Sequence, residues 1–162
     1  PASATFAAGV IEDRVLYWAN LGDSRVYWFP DGAEPLQLSE DHSLAQAQID
    51  EGVAREEAEA SVLAHTITRW LGRDATDLEP GLGEIPLSTA GWVLVCSDGL
   101  WNYASEPTAL AEVLKAAVTP GAAVVDVANG LVGWANGQGG HDNITVALAR
   151  LEQPPGSGTL AS

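Results

Sequence analysis

Short apolar runs separated by polar turn residues open the chain. Residues 3–11 (SATFAAGVI) and 14–21 (RVLYWANL) predict two strands joined by the acidic pair Glu12-Asp13. After Gly22-Asp23 a third strand is predicted over 24–29 (SRVYWF), and Pro30-Asp31-Gly32-Ala33-Glu34 reads as a turn by composition. Leu36-Gln37-Leu38 returns as a fourth strand. Val15-Leu16-Tyr17-Trp18-Ala19 is apolar at both parities, so this strand is expected to be covered on both faces.

The period then lengthens. Asp41 or Ser43 can cap a helix that runs to about Glu51 and ends at Gly52, and residues 55–65 (REEAEASVLAH) carry acidic side chains where a helix N-terminus favours them. A strand pair is predicted near 77–87 and an apolar strand over 92–97 (WVLVCS). Helices are predicted at 107–118 and 122–135, and a last strand at 143–151 (NITVALARL). The Pro/Gly/Ser-rich end, residues 153–162, is expected to be a disordered tail after one domain over 1–152. The order of elements predicts an α+β domain, with helices packed over antiparallel sheets.

Composition narrows the function classes. With 162 residues and 46% apolar side chains, the chain holds enough material for one core. Its 22 acidic and 7 basic residues give a net charge of −15, which argues against nucleic acid or an anionic membrane surface as partner. Cys96 is the single cysteine, so there is no disulfide framework and a reducing, cytoplasmic setting is expected. The sequence opens at Pro1 and contains no methionine, which reads as a cut or processed start.

Candidate chemistry lies in carboxylates at strand ends: Asp23 in Gly22-Asp23-Ser24-Arg25, Asp98 in Ser97-Asp98-Gly99, and Asp142 in Gly140-His141-Asp142-Asn143. The strand near 92–97 ends at Asp98 and the strand near 144–151 begins after Asp142, so antiparallel pairing of the two would bring both carboxylates to one sheet edge. Two or three ionised aspartates share a small site only when protons or cations neutralise them. An all-oxygen set suits hard divalent cations, Mg²⁺ or Mn²⁺, completed by water. Taken singly, each Asp-Gly or Asp-Asn is a common turn, and His42, His65 and His141 do not form a zinc pattern.

Their order carries more. The succession Gly22-Asp23-Ser24-Arg25, Glu40-Asp41-His42-Ser43, Ile67-Thr68-Arg69-Trp70-Leu71-Gly72, Cys96-Ser97-Asp98-Gly99-Leu100-Trp101 and Asp142-Asn143-Ile144-Thr145 resembles the metal-dependent Ser/Thr protein phosphatases of the type 2C family, over about residues 3–151. The resemblance implies a sandwich of two antiparallel sheets flanked by helices, with the metal centre at one end. It further implies that Asp98 and Asp142 hold one of two Mn²⁺ or Mg²⁺ ions, and that Asp98 and Asp23 face a third, weaker site. In the family a metal-activated water hydrolyses phosphoserine or phosphothreonine. The implied partners are phosphoproteins, substrates of a Ser/Thr kinase. Residues 43–75 correspond to the family's flap beside the site, with Arg69 a candidate flap residue for substrate. Leu100 and Trp101 read as packing that holds the Asp98 turn.

The family's earliest motifs are not found: the phosphate-gripping Arg, the Asn-Glu-Asp stretch, and the Asp-Gly-x-Gly-Gly turn whose Asp bridges both metals. They are expected upstream of Pro1. This chain alone is therefore expected to be inactive or nearly so, and Asn102 departs mildly from the Asp common after the Trp. Two other readings stay open at this level: a catalytically inactive phosphatase-like binding or regulatory module, and a plain acidic β-rich scaffold.

Overall fold

In a computed structural model residues 2–153 are described; most of the predicted tail, from residue 154, lies outside them. Two antiparallel sheets form the frame. One pairs β2 (Phe6–Glu12), β3 (Val15–Leu21) and β7 (Gly81–Pro86) in that order. The other has the order β5 (Leu36–Gln37), β4 (Arg25–Pro30), β8 (Gly91–Cys96), β9 (Val146–Leu151). A two-residue strand β1 (Ser3–Ala4) pairs with β6 (Leu71–Gly72) apart from both. Helices α1 (Leu44–Asp50) and α2 (Arg55–Glu59) lie in the connection between β5 and β6. Helices α3 (Asp98–Trp101), α4 (Pro107–Ala117) and α5 (Val124–Gln138) follow β8. The fold is the α+β sandwich expected from the sequence.

Side chains of β4 alternate between two cores. Val26 and Trp28 meet Leu16, Leu87 and Val93 between the sheets, while Tyr27 and Phe29 face Leu110, Leu114, Val127 and Leu131 of α4 and α5. Strand β8 divides in the same way, Val93 to one side and Leu94 and Cys96 to the other. These central strands are the doubly covered ones. Strand β3 is not: Leu16 is fully buried but Tyr17 is 42% exposed, because no layer among the described residues covers the outer face of its sheet. Apolar character at both parities therefore overstated its burial.

Three local readings change as well. The turn between β2 and β3 is Asp13-Arg14, both at positive φ (47° and 63°), a type I′ geometry that suits a two-residue hairpin loop. Arg14 accepts this backbone while its guanidinium donates to the carbonyls of Leu87 (2.9 Å) and Thr89 (2.7 Å). Helix α2 stops at Glu59 instead of 65. Beyond it Ser61 Oγ accepts from the Leu63 amide, a local bond that competes with the helix, and Val62 is left 99% exposed. The expected strand pair near 77–87 is a single strand, since Asp77 Oδ1 accepts from the Glu79 amide in a turn and β7 pairs with β3.

Candidate metal centre

Strand register brings the three candidate aspartates to one end of the sandwich. Arg25 lies opposite Cys96, and Cys96 opposite Val146, so the β3–β4 turn, the end of β8 and the start of β9 share one edge of the four-stranded sheet. Asp23 follows Gly22, whose φ of 102° is a conformation that favours glycine and lets the chain reverse. Asp98 is the first residue of α3, and Asp142 sits in the loop after α5.

Two devices hold the edge together. Ser97 Oγ donates to the Asn143 carbonyl and accepts from the Thr145 amide, both at 2.9 Å, which fastens the end of β8 to the loop that carries Asp142. Gly99 is needed for closeness: a Cβ there would stand 2.5 Å from the Asn143 carbonyl oxygen. The glycine beside Asp98 thus admits the Asp142 loop against the first turn of α3.

Electrostatics match a crowd of like charges. The Asp23 carboxyl is pushed up to about 6, first by burial, then by Asp98 and Asp41. Asp98 also lies above the ordinary carboxylate range, through burial and then through Asp142. Asp98 is the common member of both pairs. Among the described residues no three His, Cys, Asp or Glu side chains surround a single point closely enough to hold an ion alone. The donor chemistry nevertheless fits a hard divalent cation, which can be held by one or two carboxylates with water in its other positions. It does not form a closed cage.

Arg69 stands apart from the aspartates. Its Nε donates to Asp77 Oδ2 at 2.6 Å and its Nη1 reaches the Glu79 carbonyl at 3.4 Å. It is linked to the edge through His42, whose Nε2 lies 3.3 Å away and whose Nδ1 accepts from the Gly22 amide. Burial, and then Arg69, hold the His42 ring below its usual range.

For the polar joint behind the edge, the Gly-Asp-Ser-Arg motif points to a structural role for Arg25 but does not show its partners. Arg25 is 1% exposed and forms a buried pair with Asp41, with Nη2 2.7 Å from Oδ2, while Glu59 accepts from Ser105 Oγ at 2.6 Å. A signal was available: a guanidinium at the head of the apolar run Val26-Tyr27-Trp28-Phe29 needs a partner if buried.

The described residues thus form an antiparallel sandwich with carboxylates from three connections gathered at one edge. No family model matches the chain. Among curated relatives, protein phosphatase PhpP of Streptococcus pneumoniae is 34% identical over 145 residues, 89% of this chain and 56% of PhpP. The Mycobacterium tuberculosis Ser/Thr phosphatase PstP/Ppp superposes with a TM-score of 0.77 at 32% identity, over 92% of this chain and 60% of that one. A structure of the catalytic domain of PstP in complex with two manganese ions gives a TM-score of 0.73 at 32% identity, over 92% and 59% of the two chains. The chain is homologous to the type 2C Ser/Thr protein phosphatases and spans a little over half the length of the curated relatives it matches.

Proposed function

We propose that this chain provides the Asp23–Asp98–Asp142 part of a metal-dependent protein Ser/Thr phosphatase that hydrolyses phosphoserine and phosphothreonine in phosphoproteins, substrates of a Ser/Thr kinase. The observation that carries this reading is the shared edge, where Asp98 is coupled to Asp23 on one side and to Asp142 on the other. Mn²⁺ or Mg²⁺ would be held by Asp98 with Asp142, and more weakly by Asp98 with Asp23. When bound, such ions lower the pKa of a water and neutralise phosphoryl oxygens. What the chain itself does is place carboxylates so that burial and mutual repulsion favour cation binding, with no protein nucleophile required.

Arg69 would act from the flap side through His42 rather than on the carboxylates directly. The isolated chain should turn over poorly, since the family's metal-bridging Asp-Gly-x-Gly-Gly turn is not found in it. Those residues include no helix long and apolar enough to cross a membrane, and a cytoplasmic location is part of the proposal.

The test uses the full-length gene product with Mn²⁺ and a phosphothreonine peptide. Asp98→Asn and Asp142→Asn should each abolish Mn²⁺-dependent release of phosphate while the circular dichroism spectrum is unchanged. Asp23→Asn should lower activity less. Turnover retained in both of the first two variants would remove the metal assignment.

A further inference from the structure

A buried guanidinium inside a sandwich is a poor stabiliser compared with apolar packing. Arg25 uses its donors on four segments that surround the carboxylate edge. Its Nε donates to both Asp41 oxygens (2.9 and 3.0 Å) and Nη2 to Oδ2 (2.7 Å), fixing the segment that enters α1. Nη2 also reaches Glu59 of α2 at 3.5 Å. Nη1 donates to the Ser105 carbonyl (3.1 Å), beyond α3, and to the Tyr27 hydroxyl (3.2 Å) on its own strand. The guanidinium carbon lies 3.5 Å from the centroid of the Trp101 ring.

Trp101 turns this clamp toward the site. It closes the one-turn helix that Asp98 opens, and its indole Nε1 donates 2.9 Å to the carbonyl oxygen of Asp23. The ring is therefore a brace between the helix of one carboxylate and the turn of the other, with its face held by Arg25. Two like charges that repel each other need such a brace to stay close.

We propose that Arg25 is a positioning residue for the metal edge: clamped by Asp41, it fixes Trp101, and Trp101 fixes the spacing of Asp23 and Asp98. Only the turnover measurement below rests on the phosphatase reading; the binding measurement does not.

The experiment compares Arg25→Lys, which keeps the charge but loses the planar fork, with Trp101→Phe, which keeps most of the packing but loses the Nε1 donor. Val127→Ala, a core truncation near the start of α5 and away from the Asp142 loop, is the control for lost stability. Each full-length protein is assayed for its Mn²⁺ dissociation constant by electron paramagnetic resonance, its melting temperature, and kcat as a function of Mn²⁺. Expected is a rise of about tenfold or more in the Mn²⁺ constant for both edge variants, the scale of losses when outer partners of ligands are removed. Their kcat should recover at high Mn²⁺, and Val127→Ala should lower only the melting temperature. If Arg25→Lys does not fold, Trp101→Phe decides alone. A Trp101→Phe protein that melts like the control and binds Mn²⁺ like the parent would overturn the proposal. A parent that binds Mn²⁺ but hydrolyses no phosphopeptide would instead overturn the phosphatase reading, leaving the positioning role to be judged on binding. A parent that binds no Mn²⁺ would end both.

Discussion

At Asp23 the residues themselves show an acidic side chain in a Gly-Asp-Ser turn, and only the family resemblance sets it beside Asp98. The fold leaves it 6% exposed and near Asp98 and Asp41, so its acid form is favoured up to pH about 6, against 3.8 for the ordinary group. Between those values the native state holds a proton that the unfolded chain has released, so this group's contribution to stability falls as pH rises from about 4 to 6. Metal-free protein should therefore gain from acidification through pH 6, and Asp23→Asn should remove that dependence. The same variant should be more stable than the parent at pH 7 by about 1–3 kcal/mol, because each tenfold difference in proton affinity between folded and unfolded states is worth about 1.4 kcal/mol. Urea denaturation of both proteins at pH 7 and pH 5 checks both points. A destabilised Asp23→Asn at pH 7 would mean that the carboxylate is a structural acceptor. Asp31 runs the opposite way: its bidentate bonds from Arg150, at 2.8 and 2.6 Å, hold it below the usual carboxylate range, so its contribution is lost only at lower pH.

Among the elements, strands buried on one or both faces were legible because their period and composition are local. Strands β4 and β8 fall where the apolar runs predict them, β9 begins at Val146 rather than 143, and the antiparallel pairing of β8 with β9 follows the reading that put Asp98 and Asp142 at one edge. The failures arise where a side chain bonds its own backbone, as Ser61 and Asp77 do, or where a covering layer is missing, as at Tyr17. A run of residues does not display either condition. Helix α3 is another such case: Ser97-Asp98-Gly99 reads as a turn, yet Leu100 and Trp101 are drawn into the core and one turn of helix forms at Asp98. Its tight fit makes Gly99→Ala informative. A methyl group 2.5 Å from the Asn143 carbonyl must push the Asp142 loop away, at a cost of about 1–3 kcal/mol. The expected result is a lower melting temperature, together with faster amide exchange at Thr145, whose N–H is bonded to Ser97 Oγ. Unchanged exchange there would show that the helix, not the loop, gives way.

For the whole molecule, a net charge of −15 is a long-range field rather than a set of contacts. Such a field can aid solubility or attract cations, and Asp23 buried beside Asp98 is where the second effect would be strongest under the proposed function. The two effects separate in one titration. Screening by NaCl relieves general repulsion wherever the charges sit, because the Debye length falls from about 30 Å at 0.01 M to about 10 Å at 0.1 M. That relief should raise the melting temperature of every variant alike. Mn²⁺ at matched ionic strength should add a further increment only where a site exists. At ten times its dissociation constant the increment is about 1.4 kcal/mol, equivalent to about 3–6 °C for a domain of this size. Asp98→Asn removes the carboxylate common to both pairs, so it should keep the NaCl response and lose the Mn²⁺ increment. If Mn²⁺ does no more than NaCl for the parent protein, the charge serves only solubility and the shared edge holds no cation.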